Sequence, residues 1–229
     1  MGKLGAFDRI SKGIEVVNLS LPDGVDHWPG YLSADSQCKL LEIVRRSTQQ
    51  APLFTPIMPR TGKEMSVRMT NLGRLGWVTD KERGYRYQPT HPVTGQRWPK
   101  IPEMLLGIWN ELSGFDQEPE ACLINYYNDT AKMGMHQDRD EENLTAPVLS
   151  ISLGDDCLFR VGGNQRGGKT TGFRLCSGDA MMLSGPARLA YHGVSRIYPD
   201  TSALLKNGGR INLTMRIVSD GTTSNNTSE

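Results

Sequence analysis

Apolar positions along the chain first recur at helical intervals. In Ser33-Ala-Asp-Ser-Gln-Cys-Lys-Leu-Leu-Glu-Ile-Val, the residues Leu40, Leu41 and Val44 share one face, and Ser33 or Asp35 is placed to cap the first turn. Just upstream, EVVNLSL is β-branched and predicts a strand. Residues 102–113, PEMLLGIWNELS, return to helical spacing behind a Pro-Glu start that suits a helix N-terminus. From Ala121 onward the runs shorten and the period falls toward two. ACLINYY, PVLSISLG, CLFRVGG, TGFRLCSGD, AMMLSG and GRINLTMRIV follow one another, with Gly, Asp or Pro at nearly every junction. Many short strands with turns between them predict a sandwich, jelly roll or barrel. The pattern is that of a mainly β, α+β chain: an N-terminal α/β cover on a C-terminal all-β core. The first dozen residues and the tail DGTTSNNTSE are polar and expected to be poorly ordered. With no internal repeat and no linker, residues 1–229 are expected to form a single domain.

Composition narrows the partners. A chain of 229 residues is long enough for one sizeable core. Its net charge of +1 provides no global field toward nucleic acid or membrane, so any such attraction must be local. MGKLGAFDRI lacks the apolar segment of a signal peptide, and no run of about 18 apolar residues predicts a membrane span. A cytoplasmic protein without membrane contact is expected. None of Cys38, Cys122, Cys157 and Cys176 forms a C-x-x-C pair. The last three fall in apolar strand candidates and read as buried free thiols of a reducing compartment.

The stretch from Ala51 to Pro102 has no long periodic run and is rich in Pro, Gly, Thr and Arg. Residues 59–100 hold nine basic side chains against three acids, a local balance of +6 within a chain of +1. Trp77, Tyr85, Tyr87 and Trp98 are interleaved with these charges. Basic groups for phosphates and aromatic faces for bases are what flipped-base or single-strand recognition needs. A solvated, Arg-rich loop explains the same composition.

Two of the four histidines have informative surroundings. In KMGMHQDRDEEN, His136 and Asp138 stand two apart, so in extended backbone both aim to one side. His192, in RLAYHGVS, lies 56 residues further on. Two histidines and one carboxylate form the facial donor set of non-haem Fe(II) oxygenases. Taken singly, each also reads as an ordinary surface or structural residue. The last strand candidate adds weight: Arg210, Asn212, Thr214 and Arg216 alternate with Ile211, Leu213, Met215 and Ile217. Two forked guanidinium groups on one face suit a dicarboxylate such as 2-oxoglutarate. A solvated outer strand face is the plainer alternative.

These residues stand within a wider set of motifs: MSVRMTN, LGW, CLINYY, HQDRDE, APVLSISLG, GD, RL-YHG and R-N-T-R. Over Met65 to Arg216, about two-thirds of the chain, the sequence closely resembles the bacterial AlkB family of nucleic-acid demethylases. The resemblance implies a double-stranded β-helix (jelly roll) core over about 121–218, with N-terminal helices and a nucleotide-recognition lid over about 51–102. It implies Fe(II) held by His136, Asp138 and His192. It also implies 2-oxoglutarate paired through its distal carboxylate with Arg210, and a pocket completed by Asn125, Tyr127, Asn212 and Arg216. Trp77 would stack on the target base against His136, and Tyr85 would contact the nucleic-acid backbone. One extra residue between Trp77 and Tyr85 leaves Tyr85 and Tyr87 able to exchange roles. Met65, Val67, Met69, Lys132, Gln137, Asp140 and Arg166 fall at positions matching substrate contacts.

The implied activity is oxidative demethylation of bases such as 1-methyladenine and 3-methylcytosine, in DNA and also RNA. Fe(II), 2-oxoglutarate and O2 are consumed or used, and formaldehyde is released. Such bases are cationic near neutral pH, which gives Asp140 a physical role as a nearby carboxylate. The expected partner is alkylated single-stranded or duplex nucleic acid, and the expected state is a monomer. Leu183 stands where the family pattern has Trp, and Arg160 where it has a neutral polar residue. Neither is expected to touch the metal or cosubstrate motif. Three alternatives remain open on the sequence: a dioxygenase hydroxylating a protein or small molecule, a tRNA-modifying relative, and a non-catalytic nucleic-acid-binding module.

Overall fold

The computed structural model describes residues 21–220. The strand expected over EVVNLSL therefore lies almost wholly outside the described residues, as do the polar termini. In chain order the elements are β1 (Val25–Trp28), α1 (Ala34–Gln50), β2 (Arg68–Gly73), β3 (Gly76–Asp80), β4 (Gly84–Gln88), α2 (Glu103–Leu112), β5 (Ala121–Tyr127), β6 (Met133–His136), β7 (Val148–Gly154), β8 (Asp156–Val161), β9 (Thr171–Leu175), β10 (Ala180–Leu183), β11 (His192–Tyr198) and β12 (Arg210–Arg216).

Both helices stand where the periodicity placed them. Ser33 caps α1 by accepting from the Ser36 amide at 3.2 Å. Leu40, Leu41 and Val44 of α1 and Leu105, Ile108 and Trp109 of α2 form the buried faces.

The strands build two antiparallel sheets. The larger has the order β1-β10-β7-β12-β5-β2 and the smaller β6-β11-β8-β9; β3 and β4 pair as a separate hairpin. Neighbours in each sheet are mostly distant in sequence, which is the winding of a jelly roll. One apolar cluster joins the helices to the outer side of the large sheet through Leu149, Ile151, Ile211 and Leu213. The second includes Tyr127, Phe159, Phe173, Met181, Leu183 and Val194, from strands of both sheets, and lies between them.

The N-terminal half is more than a cover. β1 pairs with β10 and β2 with β5, so they occupy the two edges of the large sheet. The edge groups of β10 and β5 would otherwise be unpaired, and these strands satisfy them. Cys176 lies beyond the end of β9 and is half-buried, not inside a strand as expected; Cys122 and Cys157 are buried and Cys38 is exposed. The alternation in β12 also has a different meaning from a solvated outer face. Its apolar side meets the helices, and its polar side points between the sheets, where Arg210, Thr214 and Arg216 are all buried.

The β3–β4 hairpin is fixed locally. Asp80 Oδ1 accepts from the amides of Glu82 and Arg83 at 3.0 and 2.7 Å, closing the turn. Asn71 of β2 bonds both the amide and the carbonyl of Trp77, each at 3.1 Å, tying the hairpin to the large sheet. Among the described residues no helix is long and apolar enough to cross a membrane.

Candidate active site

His136 ends β6 and His192 begins β11, and the two are directly paired across the small sheet. Asp138 follows two residues later. One donor atom from each of the three lies within 4.8 Å of the others. The imidazole Nδ1 atoms face backbone carbonyls, His136 toward Gly134 and His192 toward Ala190, each at 2.9 Å. A carbonyl only accepts, so each Nδ1 carries a proton and each Nε2 is the ring atom turned toward Asp138. Those Nε2 atoms lie 3.6 and 3.7 Å from the Asp138 carboxylate oxygens. Burial pushes the His192 imidazole down to about 4, more than the neighbouring Asp138 carboxylate raises it, so the ring is neutral at pH 7. Burial alone would raise Asp138; Arg216, His192 and His136 outweigh it and hold the carboxyl well below the usual carboxylate range. Two imidazole Nε2 atoms, that of His192 on a neutral ring, and one ionised carboxylate converge. Asp138 Oδ2 is buried without an aligned hydrogen bond, although Arg216 Nη2 lies 2.8 Å away as an ionic contact. The donor set fits a divalent cation with open positions.

Beside the triad, a cavity of about 60 Å³ lies between the sheets. Its lining includes Asn125, Tyr127, Arg210, Asn212 and Arg216, with all three candidate metal ligands. The strand register explains the grouping: Arg210 pairs with Tyr127 and Asn212 with Asn125 across β12 and β5. Cross-strand partners share a face. Burial pushes the Tyr127 phenol up, against the opposing pull of Arg210, so it remains a donor at pH 7.

The two arginines differ in their partners. Arg216 faces two carboxylates, Asp138 and Glu141. Arg210 is 1% exposed and has none among the described residues. It donates to Ser152 Oγ at 2.6 Å and lies 3.4 Å from two carbonyls, and its Nε has no partner. A buried cation without a counter-charge is costly unless an anion joins it. The cavity beside Arg210 is therefore chemically suited to an anion such as a carboxylate.

Behind Asp138 is a buried layer that sequence reasoning did not single out. Arg188 Nη1 donates to the Asp138 carbonyl at 2.6 Å, its Nε to the Ala146 carbonyl at 2.6 Å, and its Nη2 to Glu141 at 3.2 Å. Arg216 Nη1 reaches Glu141 at 3.2 Å and the Tyr87 hydroxyl at 3.0 Å. Two arginines thus face two carboxylates around the metal-ligand segment. Arg188 sits in the RL-YHG motif and Glu141 in the acidic run after His136, and nothing local to either marks it as buried.

A larger cleft of about 710 Å³ opens beside His136 and Asp138. It is lined by Met65, Met69, Trp77, Tyr85, Lys132 and Gln137, with Asp140 and Arg166 completing the set of positions expected to meet substrate. Val67 lines it as well. Trp77 stacks on Tyr85 with ring centroids 5.5 Å apart and planes at 21°. Its indole Nε1 donates to Asp140 Oδ2 at 2.8 Å. Tyr85 is exposed at the cleft and Tyr87 is turned inward to Glu141, which separates the two tyrosines. Leu183 was expected to stand clear of the metal and cosubstrate residues. Instead it lines the inner cavity, because alternate residues of β10, Met181 and Leu183, point between the sheets. Arg160 is on the exposed face of β8, donating to Thr170 Oγ1 at 3.1 Å.

Gly193 follows His192 where β11 meets β6. A Cβ there would lie 2.5 Å from the Met133 carbonyl oxygen and 2.9 Å from that of Gly134. Gly193→Ala is expected to push β6 away and carry His136 with it. Overpacking of this kind costs about 1–3 kcal/mol. A lower melting temperature together with weaker Mn(II) binding by titration is the expected result; unaltered Mn(II) affinity would show that β6 tolerates the shift.

Comparison with known proteins places these features in context. The sequence signature of the 2OG-Fe(II) oxygenase superfamily matches residues 24–216. The chain is 50% identical over 208 residues to an alpha-ketoglutarate-dependent dioxygenase AlkB homolog of Caulobacter vibrioides, covering 90% of this chain and 94% of that protein. It is 38% identical over 160 residues to the alpha-ketoglutarate-dependent dioxygenase AlkB of Escherichia coli, covering 68% of this chain and 73% of that protein. The solved structure of OsALKBH1 is similar with a TM-score of 0.69 at 31% identity, over 86% of this chain and 98% of that one.

Proposed function

This chain belongs to the 2OG-Fe(II) oxygenase superfamily and, within it, to the AlkB family, and on that footing we propose that it removes alkyl groups from N-alkylated nucleobases by oxidation. The observation that carries the reading is the junction of two cavities at one donor set. All three residues line a small pocket with a buried arginine that has no carboxylate partner, and His136 and Asp138 also line a cleft with an aromatic stack and a carboxylate.

In this reading His136, Asp138 and His192 hold Fe(II). Arg210 takes the distal carboxylate of 2-oxoglutarate, with Asn125, Tyr127, Asn212 and Arg216 around it. When bound, Fe(II) with 2-oxoglutarate and O2 supplies the oxidising power that hydroxylates an N-alkyl carbon, after which the alkyl group leaves as an aldehyde. The chain's own residues do the rest. Arg188 and Arg216 hold the Asp138 carbonyl and carboxylate, so the ligand does not rotate with solvent. Residues 51–102 act as the nucleotide-recognition lid, within a single domain. Tyr85 stacks on Trp77, and the indole, at the lining of the cleft, is the platform for a flipped base. The Trp77 indole fixes the Asp140 carboxylate at the cleft, where it favours a cationic base such as 1-methyladenine or 3-methylcytosine. Lys132 and Arg166 at the rim suit phosphates. The substrate is a polynucleotide strand, DNA or RNA, met by a monomer in the cytoplasm. The basic, aromatic lid is what favours this over a protein or small-molecule substrate.

The test is a panel of methylated DNA and tRNA-like oligonucleotides incubated with Fe(II), 2-oxoglutarate and air, read by mass spectrometry and formaldehyde release. Demethylation of 1-methyladenine or 3-methylcytosine is expected; 2-oxoglutarate turnover indifferent to every oligonucleotide would overturn the substrate class. Trp77→Ala is expected to raise KM for the methylated oligonucleotide by roughly tenfold or more, since base–aromatic stacking contributes about 1–3 kcal/mol. Its KM for 2-oxoglutarate is expected to stay unchanged, and steady-state kinetics in each substrate separates the two.

A further inference from the structure

The β3–β4 hairpin grips the metal-ligand segment at two adjacent residues. Trp77 of β3 donates to Asp140, and the Tyr87 hydroxyl of β4 meets Glu141 Oε1 at 2.5 Å. Trp77 and Tyr87 are direct cross-strand partners, so a shift of one is carried to the other. The Tyr87 oxygen also accepts from Arg216 Nη1 at 3.0 Å, and the other end of that guanidinium lies 2.8 Å from Asp138 Oδ2. A continuous path therefore runs from the indole that faces the cleft, through one phenol and one guanidinium, to the candidate metal carboxylate. Trp77 is held by Asp140 and by its stack on Tyr85, and Tyr87 by Glu141 and Arg216. Arg216 is held by Glu141 and Asp138, and Glu141 by Arg188. The phenol is the only side chain of β4 that hydrogen-bonds into this charged layer among the described residues.

We propose that Tyr87 is a positioning residue that couples the lid to the metal centre: occupancy at Asp138 orders the hairpin, and seating a base on the hairpin tightens the Asp138 site. Coupling between sites is reciprocal, so the same hydroxyl serves both directions. A phenol is suited to this. It donates to Glu141 while accepting from Arg216, and its ring packs against Leu123 and Val218 at the root of the hairpin. Phenylalanine keeps that packing and removes the link alone. The proposal takes the hairpin as the substrate lid proposed above, but its first measurement concerns the protein without nucleic acid.

That measurement is hydrogen exchange with and without Mn(II) and 2-oxoglutarate, read at β4 and β12, with α1 as the internal reference for global stability. In the wild-type protein the additions are expected to slow exchange in β4 at least about fivefold, the lower end of typical coupling between sites. In Tyr87→Phe, β12 is expected to remain protected while the effect at β4 falls below about twofold. Equal protection of β4 in the variant would overturn the proposal, as would its absence in the wild type. Loss of protection at β12 as well would also overturn it, because Tyr87 would then serve the metal site itself. The second measurement is the Kd for a methylated oligonucleotide, with and without Mn(II) and 2-oxoglutarate. The wild-type ratio is expected to be at least about fivefold and to collapse toward one in Tyr87→Phe. If no methylated oligonucleotide binds, the proposed substrate class fails while the exchange result still decides the coupling.

Discussion

Asp138→Asn is expected to bring formaldehyde release from a methylated oligonucleotide below detection, and to do so for two separable reasons. The amide has nearly the same shape, so the fold around it can be kept. It removes the one negative donor among the three atoms that converge within 4.8 Å. A wild-type protein that binds Mn(II) is stabilised by mass action, by about 2.7 kcal/mol when the ion is present at a hundred times its Kd. The variant is expected to show no such upward shift in melting temperature. The second reason is electrostatic. Arg216 lies between Asp138 and Glu141, and both acids are buried. Neutralising one leaves Arg216 and Arg188 facing Glu141 alone. Breaking a buried pair by removing one partner costs about 3–5 kcal/mol. The metal-free variant is therefore expected to melt below the metal-free wild type. His136→Ala separates the two effects, since His136 is partly exposed and outside the arginine layer. It should lose activity and the Mn(II) shift with little change in metal-free stability. Full activity in either variant would remove these residues from the metal site.

The parts of this arrangement that were legible beforehand are those whose signal is local. β5 occupies the run ACLINYY, and α1 begins at its expected cap, because an uninterrupted period and a capping serine are properties of adjacent residues. The strands that escaped notice lack such a period. β6 is four residues with a glycine, and β11 is broken by the register shift between Val194 and Arg196. β3 and β4 lie in a Pro-, Gly- and Arg-rich stretch and are stabilised by Asn71 and by the Asp80 turn, so contacts outside each strand define them. The site divides in the same way. His136 and Asp138 are two apart in the chain, and their convergence follows from extended backbone. The different roles of Arg210 and Arg216 do not follow from their positions on one strand face. They follow from which acids the fold brings near each, and Glu141 approaches Arg216 from 75 residues away. Leu183 was misplaced for the same reason: the direction in which β10 points its alternate residues depends on its pairing with β7 and β1.

The contrast between the two arginines yields the other large effect. Arg210→Met is expected to raise the 2-oxoglutarate concentration for half-maximal turnover by about 30-fold to several thousand-fold, because truncating one partner of a buried charge pair costs about 2–5 kcal/mol. Arg210→Lys is expected to fall between, since it keeps the charge and loses the fork. Stability should move the opposite way from ordinary core damage. In the free protein Arg210 is a buried cation with a hydroxyl and two distant carbonyls for partners. Methionine removes that unpaired charge and fills the same channel, so the ligand-free melting temperature is expected to hold or rise, while the upward shift given by 2-oxoglutarate disappears. Arg216→Met is expected to move the ligand-free stability in the opposite direction. It strands Asp138 and Glu141 without their shared cation, at a cost of about 3–5 kcal/mol, and lowers the ligand-free melting temperature. Thermal melts of the two variants with and without 2-oxoglutarate, beside KM measurements, decide the matter. A ligand-free Arg210→Met protein that melts well below the wild type, or one whose 2-oxoglutarate requirement is unchanged, would show that Arg210 holds the fold and not the cosubstrate.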